Sequence, residues 1–329
     1  MAAVSTPNPA PPRPARASRL GVAAGAGGMV CVGGSVAVSS VLAGQPLLTA
    51  QAIRYTVACL LLVGAARVTG QRLVRPRGRD WGWLLGVTGT GLVLFNIALV
   101  HGSRHAEPAV LGVAVACVPV LLAAVGPLLD GRRPSPTVLA AALVVTAGAA
   151  LVQGLGRTDA VGLAWAGVVF GCEAGFTLLA VPVLGRHGAW GVSVHTSWLA
   201  AVVFGAAGLA TEGPAAAAGL TRADLLAIGY LAVAITAAFV LWYSSVRVLG
   251  ASRAGLLTGV APVAAAGAGV LLGGPLPPPV VWAGIAVVAL GLTLGLRTRS
   301  SPPAGPATGP VAVPVVGAGA APVVRAGGG

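Results

Sequence analysis

Three ionisable side chains stand inside otherwise apolar stretches of this 329-residue chain: Glu173, Arg54 and His195. An ionised carboxylate at the centre of a bilayer costs at least about 2.5–3.5 kcal/mol, so Glu173 must face a cavity, pair with a cation or carry a proton. Arg54 keeps its charge in practice and needs a partner, which could be a substrate carboxylate, the carbonyls of a neighbouring helix or the membrane surface. His195 is of the side-chain type that titrates near neutral pH, and its plainer role is that of a hydrogen-bonded interfacial residue. Such groups could bind a zwitterion or a proton. Asn96 and Thr90, Tyr55 beside Arg54, and the pair Trp242 and Tyr243 are further polar groups that could line a cavity. Aromatics near span ends instead form an interfacial belt, the reading given to Trp81, Trp83 and Trp190.

Catalytic chemistry finds little support. An intramembrane hydrolase or headgroup transferase would have Glu173, His195 and Arg54 as its whole machinery, because no HExxH, GxSxG or paired-acid motif accompanies them. No catalytic residue is assigned. A Walker A loop cannot form, since the chain has no Lys. Cys31, Cys59, Cys117 and Cys172 lie in apolar spans without CxxC spacing and read as packing residues. His101 and His105 flank a short loop with only Glu107 nearby, so neither a metal nor a cofactor is expected.

The elements that must position these groups follow from composition. Only 8% of residues are charged and 56% are apolar, too few polar groups to cover a soluble surface. The bilayer is the solvent, and about 20 apolar residues cross its hydrocarbon. Ten stretches approach that length: 20–42, 47–67, 81–100, 108–129, 136–153, 161–184, 191–211, 224–245, 252–273 and 279–296. The fold class is an all-α membrane protein with ten transmembrane helices. Val41-Leu42-Ala43 resembles a signal-peptidase site, but the apolar region before it is too long for a cleaved signal.

A repeat organises these spans. Cys31 to Gly34 aligns with Cys172 to Gly175, and the same offset pairs Arg54 with His195 and Gly64 with Gly205. Beyond a longer loop a shifted offset pairs Arg104 with Arg247, Pro119 with Pro262 and Gly148 with Gly291. Each copy, 19–154 and 155–297, holds five spans. An odd number makes the second copy enter the bilayer from the opposite side, the inverted arrangement of carriers that alternate access around a central site. At 1.5 Å per residue, Arg54 then sits about 10 Å below the outer surface and His195 about 7 Å above the inner one.

The net charge of +13 comes entirely from Arg on the basic side. With a cytoplasmic N-terminus, Arg104, Arg157 and Arg222 fall outside, Arg54 lies in a span, and the remaining sixteen of twenty lie on the cytoplasmic side. That asymmetry is the positive-inside rule, placing both termini in the cytoplasm, and it gives the charge a role that needs no nucleic acid. The loop from Arg67 to Arg79 could also touch anionic lipid. Absence of Lys with abundant Ala, Gly, Val and Arg fits a high-GC bacterial genome, hence a bacterial inner membrane. Residues 1–18 and 298–329, rich in Pro, Ala and Gly, read as disordered cytoplasmic tails. Gly pairs such as Gly21 with Gly25 and Gly171 with Gly175 allow close approach of helices.

The order of several segments resembles a known family. Ala98-Leu99-Val100-His101-Gly102-Ser103-Arg104, then Val118-Pro119-Val120, then Thr146-Ala147-Gly148-Ala149-Ala150-Leu151 look like an EamA-type domain of the drug/metabolite transporter superfamily. The second copy runs through Val248-Leu249-Gly250-Ala251-Ser252, Ala261-Pro262-Val263 and Ala289-Leu290-Gly291. An Arg in the second helix of the family matches Arg54. Family members carry a Glu after the fourth and ninth helices, where this chain has Asp130 and Gly273-Gly274. The resemblance implies gradient-driven transport, usually export, of an amino acid, another small metabolite or a drug, with a proton as candidate coupling ion. A non-transporting scaffold or receptor is the alternative, and the intramembrane enzyme a lesser one.

Overall fold

The computed structural model describes residues 15–39, 42, 44–129, 131–154, 156–271 and 273–297; Asp130 and the tails, apart from 15–18, lie outside them. Residues 15–18 form the first turn of α1, Ala15–Ser39. Nine further helices among the described residues are long and apolar enough to cross a membrane. They are α2 (Leu47–Val68), α3 (Asp80–Gly102), α4 (Pro108–Leu129), α5 (Pro136–Gln153), α6 (Ala160–Leu178), α7 (Val181–Thr211), α8 (Arg222–Leu249), α9 (Ala251–Leu271) and α10 (Pro279–Arg297). No strand occurs among the described residues, which carry one isolated bridge, Ala106 to Thr158.

Helix is what these sequences must form in hydrocarbon, because only a helix satisfies the backbone within each segment. Helix starts are marked by side-chain chemistry. Pro108 and Pro136 open α4 and α5, Asp159 caps α6 through the Gly162 N–H, and Thr221 with Asp224 forms a capping box on α8. Exposed Leu60, Val202, Leu209, Leu226 and Leu290 give the outside an apolar surface suited to lipid.

Packing between helices repeats itself. α1 lies on α8 and α9, while α6 lies on α3 and α4. α2 packs on α7, α4 on α9 and α5 on α10. Under the sequence repeat, in which α1 corresponds to α6 and α5 to α10, each pairing maps onto another or onto itself. The two halves are therefore exchanged partners within one compact unit rather than separate bodies. Small residues allow close crossings: a Cβ on Gly148 would stand 2.6 Å from the Val288 nitrogen, and one on Gly284 would stand 2.7 Å from the Gly148 oxygen. Gly21 and Gly25 likewise meet α8 at Val248 and Ser245, and Gly175 meets Thr90, whereas a Cβ on Gly171 would meet nothing within 4 Å among the described residues.

Two irregularities matter for the site. Thr88–Leu94 in α3 is a π-helical turn, a widening of the helix that frequently marks functional positions. In α7 the helix breaks at Gly188, whose φ of 64° and ψ of 177° suit a residue without a Cβ. The chain bends there enough to bring the rings of His187 and His195 into edge contact at 5.5 Å between centroids. In a straight helix the eight-residue separation would span about 12 Å.

Candidate functional site

The polar residues of α2 and α3 form one hydrogen-bonded row. Gln51 Nε2 donates to Asn96 Oδ1 at 2.7 Å, Asn96 Nδ2 donates to the Leu92 carbonyl at 2.6 Å and to Tyr55 Oη at 3.4 Å, and Arg54 Nη2 donates to the same Tyr55 oxygen at 3.2 Å. Spacing explains the cluster: Gln51, Arg54 and Tyr55 lie three and four residues apart on one face of α2, and Asn96 follows the π-helical turn directly opposite. The Arg54 guanidinium also stands 4.9 Å from the centre of the Tyr55 ring, in range for a cation–π contact. It is half-buried, has no carboxylate partner among the described residues, and its Nε is buried with no acceptor. Tyr55 is 2% exposed and stacks on Phe204 of α7 with nearly parallel rings at 5.7 Å.

Aromatic residues from α6 and α8 close the interior beside this row. Phe176 meets Tyr243 and Phe239 at 5.1 and 5.2 Å between ring centres. Tyr243 and Trp242 are buried and engaged: the Tyr243 hydroxyl donates to the Phe176 carbonyl at 3.3 Å, and Trp242 Nε1 donates to the Thr177 hydroxyl at 3.1 Å. Glu173 lies one turn before Phe176 and Thr177 on that face of α6. Its side chain has no salt-bridge or hydrogen-bond partner among the described residues. Thr90 returns its hydroxyl to the Gly86 carbonyl at 2.7 Å.

His195 belongs to a different cluster. Its Nε2 bonds the Val74 carbonyl at 2.9 Å, and Trp198 Nε1 donates to its Nδ1 at 3.2 Å. A carbonyl can only accept and an indole N–H can only donate, so these partners match the neutral ring with its proton on Nε2. A cleft of about 540 Å³ lined by Arg75, Pro76, Arg77, Trp81, His195 and Trp198 opens beside it. Asp80 ties this region together, its Oδ2 accepting from Arg186 Nη1 at 2.6 Å, His187 Nε2 at 3.1 Å and the Arg77 N–H at 3.0 Å. Phe204 is nine residues further along α7, about 13 Å from His195.

Loops add two more ties. Arg157 and Glu107 pair at 2.8 Å and His105 meets Asp159 at 3.0 Å, joining the α3–α4 loop to the start of α6. The Arg157 contact holds the Glu107 carboxyl below its usual range, and the Gly162 N–H with His105 does the same for Asp159. Glu212, after α7, caps the first turn of α2. The described residues contain no group of three His, Cys, Asp or Glu suited to a metal, and the four cysteines are free.

The structure thus gathers Arg54, Tyr55 and Asn96 in one row, places Glu173 with Trp242 and Tyr243 at the α6–α8 contact, and sets His195 apart. Gln51, Asp80, His187 and Glu212 were not singled out from the sequence. Gln51 carried a usable signal, a polar side chain in an apolar span one turn from Arg54.

Similarity to known proteins follows the same organisation. A protein of Streptantibioticus cattleyicolor named as a probable terminal-alkyne amino-acid exporter is 30% identical over 263 residues, covering 76% of this chain and 86% of its own. An uncharacterized transporter of Bacillus subtilis, YetK, is 27% identical over 301 residues, 86% of this chain and 88% of its own. A solved crystal structure at 18% identity shares the fold, with a TM-score of 0.70 over 85% of this chain and 97% of that one. The pattern of the EamA-like transporter family matches residues 19–153 and again 161–297, and the chain belongs to that family.

Proposed function

We propose that this protein is a secondary active transporter that exports a small carboxylate-bearing metabolite by alternating access. One observation carries the reading: Arg54, a permanent cation deep in an apolar helix, has no acid partner among the described residues, and its buried Nε faces no acceptor. An uncompensated guanidinium of this kind is expensive unless a substrate anion completes it. The name of the Streptantibioticus relative supports an amino acid as the substrate. Glu173, without a cation partner, is the proposed site for a coupling proton or a cationic group of the substrate.

In this reading α1 joins the nine apolar spans as a tenth, and the copies 19–154 and 155–297 are inverted five-helix repeats. The exchanged pairings of α1 with α8 and α6 with α3 support that symmetry. Arg asymmetry supports two cytoplasmic termini in a bacterial plasma membrane. The test is radiolabelled amino-acid flux in proteoliposomes. Wild type should give saturable flux, and Arg54→Ala should lose affinity for carboxylate substrates. Absence of flux from correctly inserted protein would return the chain to the scaffold or receptor reading.

A further inference from the structure

Gln51 is 9% exposed, and its amide has only one possible orientation. The constraint begins at Leu92, whose carbonyl can only accept. Asn96 must therefore turn its NH₂ toward Leu92, at 2.6 Å, which leaves Asn96 Oδ1 facing Gln51. Gln51 must then present its own NH₂ to that oxygen, at 2.7 Å. The chain of obligations ends at Gln51 Oε1, a buried acceptor with no donor. One turn further along α2, Arg54 Nε is a buried donor with no acceptor.

The two orphans do not satisfy each other, since each is without any partner, while Arg54 Nη2 donates to Tyr55. Residues three apart on a helix have Cβ atoms about 5–6 Å apart, so the two side chains that carry these orphans are neighbours on one face of α2. Buried polar groups without protein partners are normally completed by water or a ligand. A ligand completing both must bring an acceptor and a donor side by side. An α-amino acid headgroup has that pattern, with its carboxylate and ammonium on adjacent carbon positions.

We infer that Gln51 is a specificity-determining residue, whose Oε1 accepts from the substrate ammonium while Arg54 holds the carboxylate. This rests on the transporter reading above and narrows its substrate to α-amino acids over the corresponding simple acids. Asn96 is a positioning residue, because its bond to Leu92 fixes which end of Gln51 faces the substrate.

Counterflow of labelled L-norvaline in proteoliposomes, competed with pentanoate or pentylamine, tests each half of the headgroup on one carbon skeleton. In wild type, norvaline should bind most tightly, pentanoate less and pentylamine least. Gln51→Met should weaken norvaline by about tenfold or more, as expected for a hydrogen bond to a charged group, and leave pentanoate unchanged. Gln51→Leu, which also lacks the acceptor, should shift the ratio of norvaline to pentanoate in the same direction. A wild-type norvaline-to-pentanoate ratio in both Gln51→Met and Gln51→Leu overturns the role of Gln51 and points to water alone at Oε1, leaving Arg54 untouched. Pentylamine binding as well as norvaline overturns the carboxylate reading beneath it. No saturable counterflow with any of the three overturns both.

Discussion

Both oxygens of Glu212 close the first turn of α2, with the Thr49 N–H at 2.8 Å and hydroxyl at 2.7 Å on one and the Leu48 N–H at 2.9 Å on the other. A carboxylate there satisfies orphan backbone donors and lies at the positive end of the helix dipole. A loop of the second repeat thereby fixes the start of the helix that carries Gln51, Arg54 and Tyr55. Burial pushes the Glu212 carboxyl up, but the bonds from the Thr49 hydroxyl and the two backbone N–H groups outweigh it and hold it below the usual glutamate value. A lowered folded-state value means stability present above the unfolded value of about 4.3 and lost as pH falls through the folded one. Glu212→Ala should therefore destabilise the protein at neutral pH by about 0.5–2 kcal/mol, the range for losing a helix cap. Thermal unfolding in detergent against pH reads this out, and the difference between wild type and variant should shrink on acidification.

Asp80 makes a comparable tie between the start of α3 and the segment Arg186–His187 before the break at Gly188. The His187 side chain is fully buried, so Asp80→Ala should cost about 1–3 kcal/mol by leaving it without an acceptor. Under alternating access the two ties lie at opposite faces and should bias opposite states. Labelling of a single cysteine placed at Asn96, on a background lacking Cys31, Cys59, Cys117 and Cys172, checks this. Glu212→Ala should raise labelling from outside, and Asp80→Ala from inside; equal effects of both on both sides would count against gating.

Which of these features a sequence can show depends on whether its cause is local. The ten apolar stretches and their doubling are local signals, and the gap left between 161–184 and 191–211 falls at Gly188, where the helix breaks. Arg54 and Asn96 were visible because polarity is costly in an apolar span. Gln51 was equally polar but uncharged, and its importance appears only when Asn96 and Leu92 fix its orientation. The ties made by Glu212 and Asp80 were hidden, since each joins positions more than a hundred residues apart. The π-helical turn at Thr88–Leu94 has no composition of its own: its Thr and Gly residues also occur in regular spans.

Glu173 yields a prediction independent of the headgroup. Its lack of a cation partner, beside aromatic residues of α8, suits a group that changes occupancy during the cycle. Glu173→Gln retains shape and removes the ionisable proton. Flux should fall by about tenfold, the factor that 1.4 kcal/mol represents, and its dependence on pH should flatten, with substrate affinity nearly kept. Wild-type flux with an unchanged pH profile would make Glu173 a structural residue.

His195 gives the last expectation, from the mismatch between its partners and its charged form. Protonating Nδ1 would set a second N–H against Trp198 Nε1, so the neutral ring keeps two bonds and the charged ring loses one. The groups facing it are the Val74 carbonyl, Trp198, His187 and the cleft residues Arg75, Arg77 and Trp81, with Asp80 and Arg186 behind His187. As internal pH falls, protonation should therefore strain the contact between α7 and the loop carrying Val74, loosening the inner face. His195→Ala should show the loosened behaviour at every internal pH, and Trp198→Phe, which deletes the indole N–H but keeps the ring, should reduce the pH response while preserving the fold. Flux measured at several internal pH values, after insertion has been verified, separates the cases. Profiles for both variants that coincide with wild type would leave His195 as a structural tie to Val74.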